Sequence, residues 1–203
     1  MHKGHAQRAA LIAGAAWLVG CEGVLGIEDA ELDPLVTAAT SDGCETYCDT
    51  VQSSCTTTRS VFTNRNTCQA YCERLPQGEA GDQIGNSVAC RQSQAELAAA
   101  TGEPDVHCPL AGPGGQGTCG TNCESYCQVF AEVCTTRFEQ RYEGLADCVN
   151  FCDGGLLDLG SYDASMDRGD SIQCRLWHLS AAAVDPSFHC RHADGEDPCI
   201  DGA

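Results

Sequence analysis

From Cys44 to Cys55, the residues Cys44, Tyr47, Cys48, Val51 and Cys55 stand at steps of three or four, with polar residues between them. Such steps return to one face of an α-helix. The same stripe recurs at Cys123, Tyr126, Cys127, Phe130 and Cys134. A second helix is predicted around Cys68, Tyr71, Cys72 and Leu75, matched by Cys148, Phe151 and Cys152. A third opens at Asn86 or Ser87 and runs to about Thr101; its counterpart opens at Asp170 or Ser171 and runs to about Val184. The first helix of each set begins on a capping-box pattern, Asp42-x-x-Glu45 and Thr121-x-x-Glu124. Glycine and proline follow the third helix and are read as its end.

The recurrence defines a tandem duplication. One register holds Cys44, Cys48, Cys55, Cys68, Cys72, Cys90, Cys108 and Cys119. The other holds Cys123, Cys127, Cys134, Cys148, Cys152, Cys174, Cys190 and Cys199, at offsets of 79 to 84 residues. Asn86-Ser87 before Cys90-Arg91 returns as Asp170-Ser171 before Cys174-Arg175, and His107-Cys108 returns as His189-Cys190. The expected fold class is all-α: two tandem, loop-rich, disulfide-stapled three-helix units of eight cysteines each. Their bounds are read as 44–120 and 121–203. Only Gly120 to Asn122 separates Cys119 from Cys123, so the units are expected to abut.

Seventeen cysteines in 203 residues point to an oxidising compartment. The export signal is read at residues 1–20, where Lys3 and Arg8 precede the apolar run Ala9 to Gly20. That run is too short for a permanent bilayer span. It ends in Leu18-Val19-Gly20-Cys21, which resembles the lipobox of bacterial lipoproteins. The resemblance implies cleavage before Cys21, diacylation of its sulfur and acylation of the new N-terminus. Removing Cys21 leaves 16 cysteines, an even number. Glu22 stands where aspartate signals inner-membrane retention in such lipoproteins, so the implied location is the outer membrane, on its periplasmic face or the cell surface. Residues 21–43 are read as the lipidated N-terminus and tether, and the lipid bilayer is the first expected partner.

Two CxxxC pairs on successive antiparallel helices place the first cysteine against the fourth and the second against the third. The expected bridges are Cys44–Cys72, Cys48–Cys68, Cys123–Cys152 and Cys127–Cys148. The spacing is similar to that of twin-CX3C proteins such as the small mitochondrial Tim chaperones, over about 30 residues of each unit; the similarity is geometric and carries no function. For the rest, a third helix alongside the first favours Cys55–Cys108, Cys90–Cys119, Cys134–Cys190 and Cys174–Cys199. The alternative is Cys55–Cys90 with Cys108–Cys119, and likewise in the second unit.

Charge and motifs then narrow the chemistry. After Cys21 the chain carries nine arginines against 29 acidic residues, a net charge of −20, and no lysine. Schiff-base chemistry is excluded there, and nucleic acid is not an expected partner. No CxxC, HExxH or Gly-x-Ser-x-Gly motif occurs, so haem attachment, dithiol redox catalysis and a serine nucleophile all lack a signature. Arg168-Gly169-Asp170 is read as a helix cap rather than a receptor ligand. The acidic runs Asp163, Asp167, Asp170 and Asp194, Glu196, Asp197, Asp201 lack EF-hand spacing. The glycine-rich stretch from Gly112 to Gly117 is read as a flexible return.

One place differs chemically between the copies. The second unit has His178, His189 and His192 where the first has Gln94, His107 and Leu110 or its neighbour. Three converging imidazoles would hold copper or zinc. The plainer alternative gives His107 and His189 a structural hydrogen bond and puts His178 and His192 on the surface. The expected function is a non-enzymatic envelope lipoprotein, with no catalytic residue and no resident cofactor, that binds or scaffolds an envelope protein. One alternative is copper or zinc binding at the three histidines. Another is an accessory subunit of an extracytoplasmic redox or transport complex.

Overall fold

A computed structural model of the chain describes residues 41–200. The signal segment, Cys21, the tether up to residue 40 and Asp201 lie outside those residues. Nine α-helices, one 3-10 turn and no strand are present among them, so the fold is all-helical and disulfide-stapled. None of these helices is long and apolar enough to cross a membrane.

The first repeat holds α1 (Ser41–Ser54), a 3-10 turn (Thr57–Arg59), α2 (Arg65–Cys72), α3 (Val88–Thr101) and α4 (Pro104–Ala111). The second holds α5 (Asn122–Val133), α6 (Thr135–Arg141), α7 (Leu145–Gly155), α8 (Ile172–Ala182) and α9 (Pro186–Ala193). Each unit therefore has more than the three helices expected. Pro104 and Pro186 open α4 and α9 instead of closing the preceding helix. Proline suits the first helical turn, where its missing N–H has no partner to lose. α6 is a single short helix whose only buried side chain is Phe138.

The caps differ in detail from expectation. Thr121 and Glu124 form the full capping box, whereas α1 already includes Asp42. Ser87 and Ser171, not Asn86 and Asp170, accept the capping N–H from Cys90 and Cys174.

Eight disulfides staple the helices. Cys44–Cys72, Cys48–Cys68, Cys123–Cys152 and Cys127–Cys148 tie each helical hairpin. Cys55–Cys108, Cys90–Cys119, Cys134–Cys190 and Cys174–Cys199 secure the later helices, so the alternative pairing is not the one formed. Cross-links of this kind each contribute about 2–4 kcal/mol by restricting the unfolded chain. Tyr47 and Tyr126 occupy the same place in the two cores and donate their hydroxyls to the carbonyls of Ala111 and Ala193.

The repeats pack against each other through a buried arginine. Arg91 has no solvent exposure, and its guanidinium donates to the carbonyls of Ser87, Gly112 and Pro113, to Asn86 Oδ1 and to Ser125 Oγ. Every one of these partners is a neutral oxygen, and Ser125 belongs to α5 of the second repeat. The segment after α7 also reaches back, with Ala164 N–H donating to the Ser60 carbonyl at 2.7 Å and Tyr162 buried.

Candidate metal centre

The turn at residues 183–185 folds α9 back along α8. Asp185 caps α9 by accepting from Phe188 N–H, and Cys134–Cys190 fixes α9 to the end of α5. His189 and His192 stand three residues apart on α9 and so share a face. That face meets His178 on α8.

The Nδ1 atom of His178 lies 3.0 Å from Nδ1 of His189 and 3.3 Å from Nδ1 of His192. One ligand atom from each of the three lies within 4.8 Å of the other two. Two nitrogens bound at 2.0–2.1 Å to one tetrahedral ion stand about 3.3–3.4 Å apart. The two separations from His178 are thus close to those of nitrogens that share one ion. His178 and His192 are buried, so the surface placement considered for them does not hold.

The tautomer of His178 follows from its other nitrogen. Nε2 lies 3.1 Å from the Asp167 carbonyl oxygen. A carbonyl only accepts, so Nε2 carries the proton and Nδ1 presents its lone pair to His189 and His192. A second hydrogen bond of this kind is how metal-binding imidazoles are commonly oriented. Burial pushes the His178 pKa down to about 4, against the opposing pull of the Asp167 carbonyl, and the neighbouring histidines add to the lowering. His189 and His192 are lowered too, mainly by burial. All three are therefore neutral near pH 7, the form that binds metal.

Aromatic rings flank the cluster. Trp177 lies edge-on to His178 at 4.7 Å between centroids, and its indole N–H donates to the Ala164 carbonyl. Phe188 lies 4.9 Å from both His189 and His192. Cys174 and Cys199 also approach His178, but their sulfurs are joined in a disulfide and are not thiolate ligands.

The first repeat closes the same position. Gln94 Oε1 and His107 Nδ1 meet at 2.9 Å, and Leu110 takes the place of His192. The fold forms there without a histidine cluster, so three imidazoles are not needed to build it.

The other motifs are absorbed by structure. Asp170 pairs with Arg175, and Arg168 with Asp167. Asp194 and Glu196 pair with Arg137, Arg141 and Arg191. Among the described residues no three carboxylates converge. The glycine-rich stretch is a tight return: a Cβ on Gly115, at φ +73°, would stand 2.0 Å from the Cys119 carbonyl oxygen.

Fold and site together define a disulfide-stapled helical protein built from a duplicated domain, with its metal-type ligand set in the second copy. The BfoA family C-terminal domain matches the chain twice, over residues 27–122 and 120–202. The chain belongs to the BfoA family. No curated protein and no solved structure matches it.

Proposed function

We propose that this is a lipid-anchored protein of the cell envelope whose second repeat holds a copper or zinc ion at His178, His189 and His192. The convergence of the three Nδ1 atoms carries the metal reading. The lipid anchor rests on the lipobox residues Leu18 to Cys21 and on the even cysteine count that remains after Cys21. Because the first repeat makes the same fold with Gln94 and Leu110, the ion serves as cargo or reactive centre rather than as a folding staple.

Titration of the disulfide-formed chain with Cu²⁺ or Zn²⁺ tests this reading. The control is His178→Gln with His192→Leu, which installs residues that the first repeat already accommodates. One ion per chain is expected, with its affinity lost in the variant. Binding no tighter than about millimolar, or unchanged in the variant, overturns the reading. In a chain cleaved before Cys21, Trp177 is the only tryptophan. Its fluorescence should be quenched by stoichiometric Cu²⁺.

A scaffolding role, with an envelope protein as partner, is the second reading. It is favoured by a groove of about 640 Å³ at the junction of the repeats, lined in part by Ile84, Leu145 and Val149. Ile84 is 77% exposed and Leu145 46%. Replacing Ile84 and Leu145 with aspartate should abolish partner capture from envelope extracts while leaving metal binding intact. Capture that survives both changes removes the groove from the reading.

A further inference from the structure

We infer that an ion held by His178, His189 and His192 keeps one coordination position open, and that this position takes a neutral imidazole donor from outside the chain. The inference rests on the metal reading above and goes one step further. Zinc and divalent copper bind four or more donors. Among the described residues, no carboxylate or further histidine joins the three imidazoles as a fourth side-chain ligand. The two nearby sulfurs are bonded to each other. The Asp167 carbonyl sits on the Nε2 side of His178, away from the converging Nδ1 atoms. The missing donor therefore comes from outside the described residues, and sites that exchange or transform a ligand take it from outside the protein.

The surroundings select its chemistry. The chain after Cys21 has a net charge of −20, which disfavours approaching anions. The arginines on this side of the second repeat do not offset that charge: Arg137 and Arg191 are held in ion pairs with Asp194 and Glu196. The rim is aromatic instead. Phe188 is 56% exposed beside His189 and His192, and Trp177 flanks His178. Aromatic faces and edges of this kind pack well against a flat heteroaromatic ring. Imidazole combines a neutral nitrogen donor with that shape.

The test uses the chain loaded with one equivalent of Cu²⁺, followed by visible absorption and electron paramagnetic resonance while imidazole is added. Expected is a shift of the d–d band to shorter wavelength that saturates at one imidazole, with copper retained on the protein in equilibrium dialysis. A short peptide with a single histidine forms a second arm. A shift with both probes assigns the position to a partner protein's histidine, and a shift with imidazole alone assigns it to a small molecule. Spectra unchanged while copper remains bound overturn the inference, as does copper stripped from the protein. Azide or chloride binding at lower concentration than imidazole also overturns it. Failure of the metal reading looks different: the chain and its His178→Gln, His192→Leu variant would bind no copper before any imidazole is added.

Discussion

The two repeats are nearly the same scaffold carrying different chemistry. Tyr47 and Tyr126 make the same hydrogen bond, the cysteines pair in the same order, and a serine caps α3 and α8 alike. They part most clearly where α4 meets α3 and α9 meets α8. Gln94 and His107 make an ordinary side-chain hydrogen bond, while His178, His189 and His192 gather three nitrogen ligands. The helix pair that brings the histidines together also forms without them, with Gln94 and His107 at the corresponding place.

Transplanting the site is the strongest test of that comparison. Gln94→His with Leu110→His should give the first repeat its own cluster with His107 and raise the metal stoichiometry from one to two, read by titration. A stoichiometry that stays at one would mean that the α3–α4 pair does not reproduce the α8–α9 geometry.

The buried arginines separate the repeats next. Arg91 donates to five neutral oxygens, one of them across the repeat boundary. Arg175 stands at the equivalent place, pairs with Asp170 and the Asp194 carbonyl, and leaves Nε without a partner. Arg91→Met is expected to cost about 3 kcal/mol and Arg175→Met about 1–2 kcal/mol, because more buried acceptors are orphaned in the first case. Denaturant unfolding with disulfides intact measures both, and equal costs would remove the distinction.

Acid should also act through the histidines of the second repeat. His178 titrates near pH 4 when folded and near 6.5 when unfolded. Above pH 6.5 it is neutral in both states. Between 6.5 and 4 the unfolded chain takes up a proton that the folded one refuses, so stability falls across that window, by on the order of 2 kcal/mol. His189 and His192 act in the same direction. The His178→Gln, His192→Leu variant should show a flatter profile in urea midpoints from pH 7 to 4.5. Parallel profiles would place the acid sensitivity elsewhere. The smallest effect expected is in the shared core: Tyr47→Phe and Tyr126→Phe should each cost about 1 kcal/mol, and by similar amounts.

The duplication, the helical hairpins and the four hairpin bridges are legible in cysteine spacing, because a CxxxC step and a helical turn have nearly the same length. The other four bridges depend on where the third helix lies, and spacing alone leaves two pairings open. The number of helices is not. Pro104 and Pro186 read equally as a stop or a start, and the choice depends on whether the following turn finds something to pack on. Cys108 and Cys190 supply it, through bridges made far away in sequence. The identity of the three histidines is legible as a difference between copies, but their convergence depends on the angle of the α8–α9 turn. The Asp167 carbonyl that sets the His178 tautomer has no sequence signature, since every residue carries one. Arg91 did leave a trace: an arginine follows the cysteine in both copies, and its recurrence marks a position held for the interior.

The hydrogen bond from Arg91 to Ser125 bears on how the chain is inherited and dissected. A fragment ending at Gly120 would keep the guanidinium and four of its acceptors but lose the last one, and it would expose Tyr71 and Phe62 where the returning segment with Tyr162 and Ala164 now lies. The two copies share part of their interior, so they should melt in a single transition, and a first repeat made alone should be less stable than the same repeat in the whole chain.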